Sequence, residues 1–419
     1  MVNIISFTKY KPKHNLKQAD DSGREINYIH LQNVELVGKN NLYPNCLLWS
    51  FDKTLLVSPY DEKIMSLNKE SFYDGTYDTS IHNIKDFSIY TNSVYFLIYN
   101  FDNYYHFIYD TLPYLYSYFT LKKTIPDLKL LVSYPNIARQ FFYKFNEDIF
   151  DIFNIRGDIL LHTDATKYSS IYVANSLTHG GMSNKPPRKE VYELFNNIIV
   201  AESVKSLPKK IYISRRTYIH NDKTNLGTDY TQRRKLMNEN LLVEKLIENG
   251  FEEVFCENLS MIEKIQLFKQ ADQIVGAIGG GMCNLLFSPS STKVVCIVSP
   301  YFLDINNRFR FSMDHTSIQY IYNTNMQILY NRLPMYVRVK ITDSENQHYN
   351  KIGEIIDIQL DDLNSYLIQL SNNDVAGFNN SIDFQKIYFN KNQFELLDHG
   401  LNSPYTVDMC SLFSLLKDK

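Results

Sequence analysis

The feature that most constrains the fold is a run of alternating strand and helix patterns between residues 209 and 300. The strand patterns are KKIYISR, EEVFC, QIVGAI and KVVCIVSP, and the helix patterns between them are RKLMNENLLVEKLIENG, NLSMIEKIQLFKQAD and MCNLLFSP. Gly250 ends the first helix pattern, and Ser260 with Glu263 has capping-box spacing at the start of the second. Repeated strand–helix–strand units predict a parallel, Rossmann-like sheet.

The rest of the chain has two further patterns. In the first half, strand runs such as SVYFLIY and SSIYVAN alternate with helical spacing over residues 104–123, where Pro113 predicts a kink or a helix start. After about residue 335, short strand runs separated by polar turns predict a small β-rich appendage, and an amphipathic helix follows it. We therefore predict an α/β fold with an N-terminal lobe (1–205), a second lobe (206–330), the appendage (335–398) and a C-terminal helix (399–419).

Composition and charge exclude several classes of partner. Lys and Arg number 43 against 46 Asp and Glu, and no basic stripe or tail is present, so nucleic acid is not a favoured partner. No stretch approaches the ~20 apolar residues of a membrane span, so we expect no transmembrane segment. The five cysteines include no CxxC pair, which favours a reducing, cytoplasmic compartment.

The turn GAIGGG (276–281) is the first candidate site. It follows a strand pattern and precedes a helix pattern, so backbone N–H groups and a helix N-terminus converge where a phosphate can bind. The glycines match neither GxGxxG nor the P-loop, and a triple glycine equally marks close backbone packing. From the motif alone, phosphate binding and packing stay open as alternatives.

Two arginines form the second candidate. Arg215 and Arg216 follow the strand pattern KKIYIS, and in parallel sheets the carboxyl ends of strands face the ligand crevice. A guanidinium binds phosphate through two hydrogen bonds and keeps its charge at neutral pH. The alternative is a pair of loop side chains that bind surface carboxylates, and we expect one of the two arginines to do so.

The third candidate is the pair His106 and Asp110 in NYYHFIYD. Four residues apart on a helix, they share one face, which is the spacing of a general base and the group that orients it. The competing interpretation is a hydrogen-bonded core histidine among aromatic residues.

Nothing in the sequence predicts a metal site. No Asp-x-Asp occurs in the chain, and no set of His, Cys and carboxylate residues has metal-ligand spacing. We therefore expect no metal and no other cofactor.

Four segments together resemble glycosyltransferase family 61: NYYHFIYDTLP (103–113), SRR (214–216), RKLMNENLL (234–242) and GFEEVFCENLSMIEKIQLFKQADQIVGAIGGGMCNLLFSP (250–289). Each motif is loose, but their order and spacing are specific, over roughly residues 90–325. The family includes plant xylan-modifying enzymes, animal O-linked N-acetylglucosamine transferases and bacterial capsular-polysaccharide proteins. The β-rich tail lies outside the resemblance.

The resemblance implies a GT-B fold, with two Rossmann-like lobes facing a cleft and a nucleotide-sugar donor held by the second lobe. It implies inverting transfer of a sugar, with a UDP-sugar such as UDP-xylose or UDP-N-acetylglucosamine expected as donor, to a hydroxyl of a glycan or glycoprotein. Position by position, the residues that match the family are His106, Asp110, Arg215, Arg234, Asn238, Glu239, Glu263, Gly276, Gly279, Gly281 and Asn284. We expect the turn Gly279–Gly281, including Gly280, to hold the diphosphate, and His106 or Asp110 to be the base.

One position departs from the family. Where the family has His-Gly-Ala, this chain has Ile278, Gly279 and Gly280. Three outcomes stay open: Arg215 and the backbone donors are sufficient for donor binding, the donor differs, or activity has been lost. The last makes a non-catalytic carbohydrate- or nucleotide-binding module the main alternative. A nucleotide-cofactor oxidoreductase is less favoured, because no acidic residue follows the turn at the distance of a ribose contact. The sequence also leaves a homo-oligomer open.

Overall fold

The structure is a computed structural model of the 419-residue chain. The description covers residues 7–9, 26–37, 47–49, 55–58, 63–66, 88–97, 101–135, 141–162, 166–174, 176–178, 187–200, 206–216, 234–299, 317–322, 338–358, 365–370, 385–397 and 405–417. The predicted domain boundaries, at 205, 330–335 and 398, lie outside these residues. The division into domains therefore stays a prediction.

The first sheet has seven strands in the order β1-β2-β9-β6-β7-β8, with β3 paired to β2. Its strands are β1 (Phe7–Lys9), β2 (Asn27–Val37), β3 (Leu47–Trp49), β6 (Ser88–Phe96), β7 (Lys129–Val132), β8 (Ile159–Leu161) and β9 (Thr166–Ala174). β9, β6, β7 and β8 are mutually parallel, and β2 joins β9 antiparallel. β4 (Leu55–Ser58) and β5 (Lys63–Ser66) pair separately. Within the parallel part, β6 lies where the strand order reverses.

The segment 104–123, which has helical spacing in the sequence, forms three short helical elements. α1 (Tyr104–His106) continues into a π-helical turn (Phe107–Thr111), and α2 (Tyr114–Lys122) begins after Pro113, which confirms the predicted helix start. Further along are α3 (Lys144–Ile152), a 3₁₀ turn (Arg156–Asp158) and α4 (Lys189–Asn196).

The second sheet is five-stranded and wholly parallel, in the order β11-β10-β12-β13-β14. Its strands are β10 (Lys210–Ile213), β11 (Glu252–Val254), β12 (Gln273–Ala277), β13 (Lys293–Val298) and β14 (Ser317–Tyr322). Its connections contain α5 (Glu239–Glu248), a 3₁₀ turn (Cys256–Asn258), α6 (Met261–Gln270) and a 3₁₀ helix (Gly280–Phe287). The predicted parallel sheet is confirmed, and the fold is mixed α/β.

Helix α5 starts later than its sequence pattern indicates. The pattern begins at Arg234, but that residue has a φ of 53°, in the left-handed region, and Leu236 forms a parallel bridge with Tyr405. The segment before Glu239 therefore pairs with a distant part of the chain, which local periodicity does not encode.

The third sheet is antiparallel, in the order β18-β17-β16-β15-β19. Its elements are β15 (Arg338–Ile341), β16 (Ile352–Ile358), β17 (Ser365–Leu370), β18 (Lys386–Asn390), a 3₁₀ turn (Lys391–Gln393) and β19 (Phe394–Leu396). The strands predicted after residue 335 are thus present, and they enclose a hydrophobic cluster of their own.

Among the described residues, hydrophobic clusters cover both faces of the parallel sheet. On one face, Ile211, Ile213 and Ile274 belong to a cluster that continues into the helices of the first half. On the other, Tyr212, Val275 and Val295 pack against α5 and the C-terminal helix α7 (Met409–Lys417). The alternation along β10 assigns neighbouring side chains to opposite faces, so both faces of the parallel sheet are covered.

Among the described helices, none is long and apolar enough to cross a membrane.

Candidate functional site

The strand order locates a crevice in the parallel sheet. β10 lies between β11 and β12, so the chain leaves β10 toward one side and later returns to the other. Ligands of open parallel sheets bind beyond the carboxyl ends of strands at such a reversal. Ser214, Arg215 and Arg216 follow β10, and the turn Gly279–Gly281 follows β12. The sheet therefore brings together two of the candidates singled out in the sequence.

The glycine turn offers backbone donors. Gly280 is exposed and Gly279 and Gly281 are half-buried, whereas Ile278 and Met282 on either side are buried. Met282 N donates to Gly279 O at 3.0 Å and closes the first turn of the 3₁₀ helix. No hydrogen bond between described residues uses the N–H groups of Gly279, Gly280 or Gly281. Three adjacent donors at a helix N-terminus suit an anionic oxygen.

Three glycines of this segment, Gly276, Gly279 and Gly281, lie too close to neighbouring atoms to carry a side chain. A Cβ on Gly279 would overlap Nη1 of Arg215, and a Cβ on Gly281 would lie 2.8 Å from Cγ2 of Ile213. At Gly276, a Cβ would overlap the sulfur of Met282. Gly276 and Gly281 thus permit close packing, whereas Gly279 makes room for a cation.

Arg215 lies beside the turn. Its Nη1 donates to Ile278 O at 2.6 Å, and its backbone N donates to Glu239 Oε1 at 2.8 Å. These two bonds hold the half-buried side chain against the strand end that carries the glycines. The arrangement places a permanent positive charge next to the backbone donors.

Arg216 has a different environment. Its Nε and Nη2 donate to the two carboxylate oxygens of Glu253 at 2.7 and 2.6 Å, and its Nη1 donates to Asn240 Oδ1 at 3.0 Å. Burial alone would raise the pKa of the Glu253 carboxyl, but the Arg216 fork holds that pKa below its usual value. The expectation that one arginine of the pair binds a surface carboxylate is confirmed for Arg216.

His106 and Asp110 form the predicted pair. His106 Nδ1 lies 2.6 Å from Asp110 Oδ2, with the histidine side chain 32% exposed and the aspartate side chain fully buried. Since a carboxylate only accepts hydrogen bonds, Nδ1 is the ring nitrogen that donates to Asp110, and Nε2 is the ring nitrogen outside this contact. Asn103 caps the helix by accepting from His106 N at 3.2 Å. The ring is hydrogen-bonded, packs against Tyr105 and is partly exposed, so the general base and the hydrogen-bonded core histidine both stay open.

Asn284 joins this segment to the turn. It is fully buried, its Nδ2 donates to Gly281 O at 2.8 Å, and its Oδ1 accepts from the Tyr104 hydroxyl at 2.5 Å. α1 packs against the 3₁₀ helix that begins at Gly280. The first half of the chain and the glycine turn are thus in direct contact.

Comparison with known protein families gives one match. Residues 104–295 match the family described as Glycosyltransferase 61, and every residue singled out as a candidate falls inside that range. This region belongs to glycosyltransferase family 61. The match covers a little under half of the chain, and the antiparallel sheet β15–β19 lies beyond it. No curated protein is similar enough to the chain to count as a match.

Within the family 61 region, two of the residues that match the family hold neighbouring segments in place. Glu239, which is 4% exposed, accepts through Oε1 from the Tyr212 hydroxyl at 2.8 Å and from Arg215 N at 2.8 Å. Asn238 donates to Val407 O at 2.8 Å and accepts from Val407 N at 3.0 Å. Asn238 thus binds the C-terminal segment to the start of α5, and Glu239 positions Arg215.

Glu263, another residue of the family pattern, caps a helix. Its Oε2 accepts from Ser260 N at 2.8 Å, and its own backbone N donates to Ser260 Oγ at 3.3 Å. The predicted capping box is confirmed. This use of the carboxylate gives Glu263 a structural reason for its position at the start of α6.

Arg234 and Arg215 both act electrostatically on Tyr405. Burial raises the pKa of the Tyr405 phenol, and the two arginines oppose that rise. Tyr405 is 1% exposed and belongs to the C-terminal segment, far from the family 61 region in sequence. The sequence did not predict its role, because nothing in SPYTVD indicates pairing with residues 235–237.

Ile278 occupies the position at which this chain departs from the family. Its side chain is 1% exposed and belongs to the core cluster, while its carbonyl oxygen accepts from Arg215. The side chain at 278 therefore packs inward, and the backbone at 278 holds the arginine.

Two further residues near the turn were also missed. Lys264, which is 3% exposed, lies with Nζ 4.4 Å from the centre of the Tyr104 ring. Burial lowers the pKa of this lysine, and the neighbouring thiols Cys256 and Cys283 oppose that change. In the sequence, a lysine at a helical position and a tyrosine among aromatic residues give no signal of such a contact.

Within the described part of the chain, no cluster of three or more His, Cys, Asp or Glu side chains could hold a metal ion.

Proposed function

We propose that this chain is an inverting, metal-independent glycosyltransferase of GT-B type, which moves a sugar from a UDP-sugar to a hydroxyl of a glycan or a protein-linked glycan. The observation that carries the proposal is the glycine turn, where three backbone N–H groups and the Arg215 guanidinium meet at the strand reversal of a parallel sheet. Its position within a family 61 region supports the reaction class.

The parallel part of the first sheet and the wholly parallel second sheet support the two-lobe proposal. In each sheet, a candidate group follows the strand at which the order reverses: the His106 segment follows β6, and the Arg215 segment follows β10. A GT-B enzyme needs acceptor chemistry from one lobe and donor binding from the other. The distribution of the candidates matches that need.

On the donor side, the turn would bind the diphosphate. The N–H groups of Gly279, Gly280 and Gly281 would donate to phosphate oxygens, and Arg215 would neutralise the charge that grows on the leaving group. Arg234, which acts on Tyr405 together with Arg215, would be the second cation. Together these groups would supply the positive charge that a divalent ion supplies in other transferases.

On the acceptor side, His106 would act as general base. Nδ1 is bonded to Asp110, so Nε2 is the atom that accepts the proton of the acceptor hydroxyl. The hydroxyl oxygen would attack the anomeric carbon as the bond from that carbon to the diphosphate oxygen breaks. The electron pair of that bond goes to the diphosphate, which leaves beside Arg215. Attack from the face opposite the leaving group inverts the anomeric centre.

A non-catalytic nucleotide-binding module is the second candidate. It is favoured by Ile278, whose inward-packed side chain offers no polar group to the diphosphate. Such a module would bind a nucleoside diphosphate at the turn but would transfer no sugar.

The first test is a thermal-shift screen of the full chain against UDP, GDP, CMP and NAD, with and without EDTA. A ligand that binds only the folded state raises the melting temperature. Stabilisation by a nucleoside diphosphate that persists in EDTA is the expected result. Stabilisation by NAD alone would contradict the transferase.

Transfer itself is then measured with the matching nucleotide sugars. His106→Ala and Asp110→Ala should each lower kcat by about 10²–10⁴-fold while nucleotide binding survives. Normal turnover in both variants rules out this assignment of the base. Nucleotide binding by the wild-type chain with no transfer to any acceptor would favour the binding module.

A further inference from the structure

A hydrogen-bond chain connects Tyr104 to the glycine turn. The Tyr104 hydroxyl donates to Asn284 Oδ1 at 2.5 Å, and Asn284 Nδ2 donates to Gly281 O at 2.8 Å. One side-chain amide thus lies between a residue of α1 and the backbone of the turn. Because Asn284 is fully buried, water does not compete for its two bonds.

The ring of Tyr104 is held on several sides. Lys264 Nζ lies 4.4 Å from the ring centre, the Met261 sulfur lies 3.3 Å from the hydroxyl, and the Phe145 ring meets Tyr104 edge-on with centroids 5.2 Å apart. Burial raises the pKa of the phenol well above its usual value, so the hydroxyl stays protonated and remains a donor. The ring has one well-defined position.

Tyr104 is also close to the candidate base. It is the first residue of α1, and His106 is the last residue of the same short helix. The Asn103 side chain caps the helix through His106 N, and the aspartate that orients His106 follows in the adjoining π-helical turn. A shift of Tyr104 therefore moves the backbone that carries the base.

Packing alone would not need the hydroxyl. A phenylalanine at 104 would keep the contacts of the ring with Lys264 and Phe145. It would lose the bond of the hydroxyl to Asn284 and its contact with the Met261 sulfur. The hydroxyl is the group that extends from the acceptor-side helix to the donor-side turn.

We propose that Tyr104 is a positioning residue, which couples occupancy of the glycine turn to the alignment of His106 through Asn284. The inference rests on the proposed function, because it takes the turn as the diphosphate site and His106 as the base. A diphosphate bound to the N–H groups of the turn fixes the backbone at Gly281. Asn284 is then held through its bond to Gly281 O, and Tyr104 is held through its bond to Asn284. The base is thereby aligned when a donor is present.

The test compares wild type, Tyr104→Phe, Asn284→Ala and the double variant. Tyr118→Phe is the matched control, because Tyr118 is a buried tyrosine of the same half whose hydroxyl donates to Asp158 at 2.7 Å, away from the turn. Two quantities are measured on the full-length chain. The first is hydrogen exchange of residues 104–111 and 279–284 with and without saturating UDP or GDP, and the second is kcat and the KM for the donor.

In wild type and Tyr118→Phe, nucleotide should slow exchange in both segments. In Tyr104→Phe, protection of 279–284 should remain, and the added protection of 104–111 should be lost. Its kcat should fall at least about 10-fold with donor KM changed less than about 3-fold, because a misaligned base affects the chemical step and not donor binding. Asn284→Ala should have the same effect on 104–111, and the double variant should be no worse than the single variants, since all interrupt one chain.

The inference is overturned if nucleotide protects residues 104–111 in Tyr104→Phe as strongly as in wild type. This holds whatever the catalytic result. A wild-type chain that binds nucleotide but transfers no sugar contradicts the proposed transferase, and the exchange data still decide the coupling. A chain that binds neither UDP nor GDP overturns both.

Discussion

The glycine turn and the segment that leads into α5 make a useful comparison. Both lie at the carboxyl edge of the same parallel sheet, one after β12 and the other after β10. The turn has few polar side chains and leaves its backbone donors exposed, whereas the α5 entrance is rich in polar side chains that bond inward to Tyr212, Arg215 N and Val407. The polar residues at this edge of the sheet thus hold neighbouring segments in place, and the proposed binding site lies where the chain has almost no side chains.

Within this comparison, the largest effect is expected at Arg215, whose environment differs from that of Arg216. Arg215→Ala should lower kcat/KM by about 10²–10³-fold, the range found when one donor to a developing negative charge is removed. Arg216→Ala, the matched control, should lower it less than about 3-fold, because its guanidinium is already occupied by Glu253 and Asn240. Steady-state kinetics on both variants give the answer. Equal losses would mean that the whole strand end, and not Arg215, binds the donor.

The next effect separates packing from exposure within the turn itself. Gly281→Ala should lower the free energy of unfolding by about 1–3 kcal/mol, because the new Cβ would press on the β-branched side chain of Ile213 in the core. Gly280→Ala should change it by less than about 0.5 kcal/mol, since a Cβ there meets only the Tyr104 ring at 3.9 Å. Urea denaturation measures both. A larger loss at Gly280 would show that the turn is tighter than its exposure indicates.

A similar but smaller loss of stability is expected at the α5 entrance. Asn238→Ala removes both hydrogen bonds to the Val407 backbone and should lower the free energy of unfolding by about 1–2 kcal/mol. Hydrogen exchange should rise in residues 405–417, while the nucleotide affinity of the folded chain stays within a few-fold of wild type. A selective loss of nucleotide affinity with no loss of stability would instead assign Asn238 to the binding site.

The smallest effect concerns Lys264 and has the opposite sign. Burial depresses its pKa in the folded state, so folding releases a proton and the cost of burying the charge is fully present below that folded pKa. The cost disappears as pH rises from the folded pKa to the unfolded value of about 10.4. Lys264→Met should therefore raise the free energy of unfolding by about 1 kcal/mol at pH 7, with the gain shrinking toward pH 10.

The pH dependence of the Lys264 effect follows from melting curves at several pH values. The groups that act on this lysine are Cys256, Cys283, Glu257 and Asp148, each of which raises its pKa against the effect of burial. Lys245→Met, at an exposed lysine of α5, is the control and should show no such trend. A loss of stability at pH 7 would mean that the contact of the ammonium with Tyr104 outweighs the cost of burial.

Much of the fold could be predicted because local patterns carry it. The strands of the parallel sheet have apolar runs bounded by polar residues and glycine, and the Ser260–Glu263 cap is encoded within four residues. The pairing of His106 with Asp110 is likewise a contact four residues apart on a helix. Interactions of this range depend on backbone geometry that neighbouring residues already fix.

The site was predicted less completely. The sequence places Arg215, Asn238, Glu239 and Glu263 in one set of matching positions, but the structure gives the last three different structural tasks. Tyr405 and Lys264 had no signal at all, because their importance comes from segments that lie far apart along the chain.

By itself, the sequence determined the alternation of strands and helices, the glycine turn, the His106–Asp110 spacing and the resemblance to glycosyltransferase family 61. These are properties of short segments and of their order, which the chain carries before it folds. Only the tertiary structure decided that Arg215 faces the turn while Arg216 binds Glu253, and that Tyr104 meets Asn284 across 180 residues of sequence. The physical reason is that a side chain's partner depends on which segments the sheets and cores bring together, and periodicity in one segment contains no information about its distant neighbour.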